Sequence, residues 1–181
     1  MGKTVLVLMG SPRKGGNSDR LSDEFMRGAR EAGHEAEKIY LKDKVIGACL
    51  GCLACQGTGG RCVQNDDMDE LYEKIKAADS VALASPVYFY TWNALMKTAL
   101  DRTVAIVADM TDKTFYLIGV GQAPSERYMA TMIDCFRKYV GCFRAGDSRE
   151  GGYVFGYGVD KPGEVEGTPA MGLAYEMGKS V

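Results

Sequence analysis

Apolar residues along this chain fall into two alternating patterns: short unbroken runs, and longer stretches that return to an apolar side chain every three or four positions. Lys3-Thr-Val-Leu-Val-Leu-Met9 is the first run, closed by Gly10. Its lack of polar alternation predicts a strand buried on both faces. Asp19 to Ala32 carries Leu21, Phe25 and Ala29 at helical spacing and stops at Gly33, the usual end of a helix. Glu35 to Leu41 alternates like a second strand. Asp66-Asp67-Met68 opens a helix running to about Ala78, with acids at its start and Leu71, Ile75 and Ala78 on one face. Ser80 to Ala84 reads as a third buried strand, Trp92 to about Ala108 as a helix and Lys113 to Val120 as a fourth strand. Glu126 to Val140 is a further helix, Gly152 to Tyr157 a fifth strand and Ala170 to Lys179 a last helix.

Strands alternating with helices over the whole length predict a parallel sheet covered on both faces. No repeat, low-complexity tract or linker interrupts residues 1–181, so a single α/β domain is expected. Ligands in such sheets sit beyond the carboxyl ends of the strands. That directs the search for function to three loops, 10–18, 85–93 and 119–127.

Composition narrows the partners. The 181 residues are 46% hydrophobic and 25% charged, the balance of an ordinary globular protein. A net charge of −2 offers no broad basic surface for a nucleic-acid backbone, which leaves small molecules or proteins as partners. Met1 to Met9 is too short for the apolar core of a signal peptide. The longest apolar run, Val81 to Tyr90, is broken by Ser85-Pro86 and falls short of a membrane span. A cytoplasmic protein is expected.

Gly10-Ser-Pro-Arg-Lys-Gly-Gly-Asn-Ser18 joins the first strand to the first helix. Small residues let backbone N–H groups converge at a helix N-terminus, while Ser11, Asn17 and Ser18 add side-chain donors and Arg13 a charge. That chemistry suits a phosphate. The loop is not a P-loop, because Gly16-Asn17 stands where Lys-Ser/Thr is required, nor is it Gly-x-Gly-x-x-Gly. Pro86-Val-Tyr-Phe-Tyr-Thr-Trp-Asn93 is heavily aromatic for a loop and offers flat apolar surface. Gly119-Val-Gly-Gln-Ala-Pro-Ser125 closes the fourth strand.

These stretches resemble the NADPH-dependent FMN reductase family. The likeness runs through Gly10 to Ser18, Asp66-Asp67-Met68, Ser85-Pro-Val-Tyr-Phe89, Leu95-Met-Lys97, Leu100-Asp-Arg102 and Phe155-Gly-Tyr-Gly-Val-Asp-Lys-Pro-Gly163, nearly the whole chain. It implies a flavodoxin-like three-layer sandwich with a five-stranded parallel sheet. It further implies that Ser11, Arg13, Asn17 and Ser18 bind the FMN phosphate. Pro86, Val87, Tyr88 and Phe89 would contact the isoalloxazine ring or ribityl chain, with Asn93 beside them, and Gly121 and Gln122 would approach its far side. NAD(P)H or a reduced carrier would supply electrons to a small acceptor or a protein.

Cys49-x2-Cys52-x2-Cys55-x6-Cys62 puts four cysteines within fourteen residues. Disulfides are rare in the cytosol, so the cluster reads as metal or redox chemistry. Four thiolates suit a [4Fe–4S] cube, whereas structural zinc usually takes two more widely spaced pairs. The run is similar to that of the iron-sulfur flavoprotein branch of the same family. Zinc, a redox-active dithiol at a subunit interface, and no bound metal remain open at this point. A rival from another class shares the loop: Cys55-Gln-Gly-Thr-Gly-Gly-Arg61 fits the Cys-x5-Arg pattern of phosphotyrosine phosphatases, although no strand precedes it and Cys62 follows at once. A redox-regulated binding module without catalysis is the other alternative. Cys135 and Cys142, seven residues apart, are expected on the buried face of a helix, and Asp101-Arg102 is expected to form a structural ion pair. His34, the one histidine, sits in a turn, which excludes His-based nucleophilic triads. Exposed aromatic and cysteine loops predict a homodimer, or a tetramer built from dimers.

Overall fold

Five parallel strands form the centre of the computed structural model, which describes residues 2–181; Met1, the first residue of the apolar opening, lies outside them. The elements are β1 (Thr4–Met9), α1 (Asn17–Glu31), β2 (Glu35–Tyr40), α2 (Ala54–Gly57), α3 (Met68–Ala77), β3 (Ser80–Tyr88), β4 (Thr91–Trp92), α4 (Ala94–Arg102), β5 (Thr114–Gly121), α5 (Ala130–Gly141), β6 (Arg149–Tyr157) and α6 (Ala170–Lys179). The sheet order is β2-β1-β3-β5-β6, with short β4 antiparallel beside β3. This is the expected flavodoxin-like order, whose direction reverses between β1 and β3, where a crevice opens beyond the strand ends.

The unbroken apolar runs form strands because both sheet faces are covered. Leu6, Leu8, Leu83, Phe115 and Leu117 face one layer with α3, α4 and α5. Val5, Val7, Met9, Ala82, Ala84, Tyr116 and Ile118 face the other with α1 and α6. Those two helices cross almost backbone to backbone: a Cβ on Gly28 would lie 2.1 Å from the Tyr175 carbonyl, and one on Gly178 2.0 Å from that of Phe25. Among the described residues no helix is long and apolar enough to cross a membrane.

β6 starts at Arg149 rather than Gly152, and α4 ends at Arg102 and gives way to a 3-10 stretch, Thr103–Asp109, rather than running to about Ala108. Three further differences from expectation lie on the side that shapes the site. β3 continues past Ala84 to Tyr88 and turns through Phe89-Tyr90 into β4, so residues 85–93 are a hairpin rather than a loop. Trp92, expected to start a helix, is a strand residue with 7% exposure, and α4 starts at Ala94. A 3-10 turn, Glu126–Tyr128, precedes α5, which begins only at Ala130.

Candidate active site

Gly10 leaves β1 with its N–H on the Ala84 carbonyl at 2.7 Å, so the first loop starts tied to β3. Ser11 Oγ accepts the Arg13 N–H at 3.1 Å, and Gly15, at φ 70°, donates its N–H to Asp19 Oδ2 at 2.7 Å. Residue Gly16 stands at the N-cap of α1 and has no capping side chain to offer. The first intrahelical bond runs from Arg20 N–H to the Gly16 carbonyl, so the amides of Asn17, Ser18 and Asp19 stay free for an anion. Asp19 braces the loop from beneath through Lys38 and through Tyr40 Oη at 3.0 Å. Burial opposes its ionisation, but the bonds from Lys38, the Gly15 amide and Tyr40 outweigh that and hold its carboxyl below the usual range.

Above this cradle lies a cleft open to solvent. Ser11, Arg13, Asn17 and Ser18 line one end, Pro86, Val87 and Tyr88 one wall, and Gly121 and Gln122 another. These nine expected residues are brought together. Gly121 packs closely there: a Cβ would stand 2.8 Å from Met129 Cε, the flexible end of that side chain, and in ordinary contact with Val87 at 3.4 Å. Two expected residues are not in the cleft. Phe89 is 98% exposed at the hairpin tip. Asn93 is buried, capping α4 by accepting the Met96 N–H at 3.1 Å and donating to the Gly10 carbonyl at 2.5 Å; it positions the phosphate loop from behind.

The Asn17 side chain also makes bonds away from the cleft. Its Nδ2 donates to the Lys161 carbonyl at 2.9 Å, and its Oδ1 accepts from Gly163 at 2.9 Å and Val165 at 3.3 Å. The side chain therefore clamps the loop after β6 to the phosphate cradle. That loop contributes Val159, Asp160 and Pro162 to the cleft wall. Sequence reasoning assigned it no site residue, although its Gly158…Pro162-Gly163 punctuation was a signal.

The four clustered cysteines line one mostly apolar pocket of about 390 Å³ with Leu50, Leu53, Val104 and Ala105. Cys49 and Cys52 are exposed, Cys62 half-buried and Cys55 buried. Among the described residues no group of three or more His, Cys, Asp or Glu side chains is gathered closely enough to hold a metal ion. The loop is pinned at its neck, where Gly47 N–H donates to Asp66 Oδ2 at 2.9 Å and Val45 N–H to Asp67 Oδ2 at 2.7 Å. The expected Asp101–Arg102 ion pair does not form: Arg102 grips Asp66 at 2.7 and 3.0 Å, while Asp101 pairs with Lys97.

The phosphatase arrangement is absent. Cys55 lies within α2, Arg61 lines a separate surface hollow, and the next α-helix starts only at Met68. Cys142 caps α5 and is exposed, contrary to expectation, whereas Cys135 packs partly against the core. His34 Nδ1 accepts the Lys3 N–H, a structural contact.

The model of a family described as NADPH-dependent FMN reductase matches residues 4–149. An iron-sulfur flavoprotein of Archaeoglobus fulgidus is 36% identical to this chain, covering 96% of it and 76% of that protein. An iron-sulfur flavoprotein of Methanocaldococcus jannaschii is 33% identical, covering 98% and 94%. Among solved structures, an NAD(P)H:quinone oxidoreductase from Methanothermobacter marburgensis superposes with a TM-score of 0.74 at 18% identity, covering 99% of this chain and 96% of that one.

Proposed function

The chain belongs to the NADPH-dependent FMN reductase family and is a flavin oxidoreductase; on that premise we propose that its cleft binds FMN, that NAD(P)H or a reduced carrier supplies the electrons, and that the four cysteines hold a [4Fe–4S] cluster. The observation that carries the flavin site is the uncapped start of α1, with three free amides, Ser18 and Arg13 at one end of a cleft walled by Pro86, Val87 and Tyr88. The residues fit. The amides of Asn17 to Asp19 would hold the phosphate with charge-assisted bonds, and Arg13 would neutralise it. Pro86, Val87 and Tyr88 would cover one face of the ring and keep water from it. When bound, FMN supplies hydride acceptance as two electrons and their release singly. No acid–base pair is demanded of the chain, which accords with a cleft lined mainly by backbone, apolar and hydroxyl groups.

For the cluster, the support is a single apolar pocket bordered by all four thiols, together with the names borne by the two curated relatives. Holding a single ion would require four sulfurs to close around one point, whereas a cube takes one thiolate at each of four iron corners. Anaerobic purification, an absorption spectrum and a metal assay test both readings. Flavin absorption and about four irons per chain are expected, and Cys52→Ser should lose the iron and keep FMN. Zinc in place of iron overturns the cluster alone. Failure to bind FMN overturns the function. Rapid-mixing reduction of the bound flavin by NADPH tests the donor.

The exposed Tyr88, Phe89 and Tyr90 support assembly into a homodimer or a tetramer of dimers. Light scattering at micromolar concentration should show it, and a monomer sinks it.

A further inference from the structure

Among the described residues Arg102 has the largest wholly buried side chain, with 1% of it exposed. A guanidinium taken from water needs compensation on every N–H. Nη1 donates to the Gly47 carbonyl at 2.8 Å and to Asp66 Oδ2 at 2.7 Å. Nη2 donates to Asp66 Oδ1 at 3.0 Å and to Cys62 Sγ at 3.4 Å. Nε is buried and meets no acceptor among the described residues. The fork is thus fixed on the carboxylate that pins the cysteine loop, and one arm reaches a sulfur of the four-cysteine set. Asp66 is locked in turn: burial works against its charge, but Arg102 and the Gly47 and Met68 amides hold it ionised. A surface ion pair could have closed the loop. The buried one aims its positive end, as a hydrogen-bond donor, at Cys62, with one N–H unspent.

We propose that Arg102 is the positioning residue that orients Cys62 and raises the reduction potential of the cluster held by Cys49, Cys52, Cys55 and Cys62. This rests on the four-iron reading above. Reduction adds one electron to the cluster, leaves all four thiolates bound and takes up no proton. The added negative charge is stabilised by a nearby cation and by N–H groups donating to sulfur, which are the established means of tuning such centres. Arg102 lines the cysteine pocket and not the flavin cleft, so the effect should fall on one centre only.

The test compares the reconstituted, FMN-loaded protein with Arg102→Lys and Arg102→Gln. Each is titrated anaerobically with dithionite as the electron source. Wild type and both variants are expected to hold about four irons. In Arg102→Gln the one-electron equilibrium for cluster reduction should fall about tenfold, a drop of about 59 mV. Arg102→Lys, which keeps the charge and loses the fork, should fall less, and the flavin potential should stay put in both. If Arg102→Gln takes up no iron, Arg102→Lys carries the comparison, and a potential equal to wild type overturns the proposal. Wild type with four irons and variants with unchanged potentials overturn it while leaving the cluster intact. Equal shifts at flavin and cluster also overturn it, since they mark a general loosening. Wild type that takes up no iron overturns the cluster reading itself, and this proposal with it.

Discussion

Asn17→Ala removes a side chain whose two polar atoms make three hydrogen bonds to the segment 161–165. The Val165 amide it serves is buried, while Lys161 is exposed and can turn to water. At about 1 kcal/mol for each net bond, with the exposed one partly replaced, the FMN-free protein should lose roughly 2–3 kcal/mol. Urea unfolding of that protein reads the loss. The wall formed by Val159, Asp160 and Pro162 must then be ordered when FMN binds, so calorimetric affinity should drop about tenfold, ~1.4 kcal/mol. Asn17→Asp keeps the acceptor for Gly163 and Val165 and should recover most of the stability. It should nevertheless bind FMN less well than Asn17→Ala, because it places a negative charge beside the phosphate. The clamp argument is refuted if Asn17→Ala unfolds at the wild-type urea concentration while FMN affinity falls a hundredfold; the amide would then be reaching the phosphate itself.

Arg13→Ala with Ser18→Ala should weaken FMN binding by ~2–4 kcal/mol through lost charge-assisted bonds, and unchanged affinity in titration calorimetry would place the phosphate elsewhere. Phe89→Asn with Tyr90→Gly should raise the unfolding free energy by about 1–3 kcal/mol, since both wild-type residues sit at positive φ, 48° and 67°; chemical denaturation checks it. Asp19, with its folded carboxyl below the unfolded value, adds stability above about pH 3.9 and loses it as pH falls further through the folded value. Asp19→Asn should therefore flatten that acid limb in pH-dependent unfolding, and an unchanged slope would remove Asp19 from the account.

The parallel sheet was legible because burial on both faces writes each strand as an unbroken apolar run, as in residues 3–9 and 80–84. The end of β3 was not. Pro86 lacks an N–H and reads as a stop, yet it pairs in register with Val120 and the strand runs on to Tyr88. The turn at Phe89-Tyr90 carries no Asn-Gly or Gly signal, so the hairpin was invisible, and the family resemblance that implied cleft roles for Phe89 and Asn93 says nothing of this turn. In the phosphate loop, sequence spacing cannot say that Asn17 spends both polar atoms on a segment 144 or more positions away. Cys142 was misjudged for a local reason. Seven residues keep one face only while the helix lasts, and α5 ends at Gly141.

Helix α4 sets the relation between the two candidate centres. Its cap, Asn93, holds the Gly10 carbonyl of the phosphate loop, and its last residue, Arg102, touches Cys62. Nine residues rise about 13 Å. The cysteine loop does leave the sheet at the end where the cleft opens, after β2, but its neck is pinned by Asp66 and Asp67 and its far side lies against the 3-10 stretch Thr103–Asp109 that follows α4. There Gly60 lies so near the Ala105 carbonyl that a Cβ would stand 2.9 Å away. The cleft and the cysteine pocket consequently share no lining residue. A substitution at one reaches the other only by shifting α4 as a body. The buried Met96, Ala99 and Leu100 resist that, being packed against the sheet over the helix's length. Cys52 is exposed and has no place among those core residues. Loss of its sulfur therefore leaves the Asn93–Gly10 bond in place, and with it the geometry on which FMN binding depends.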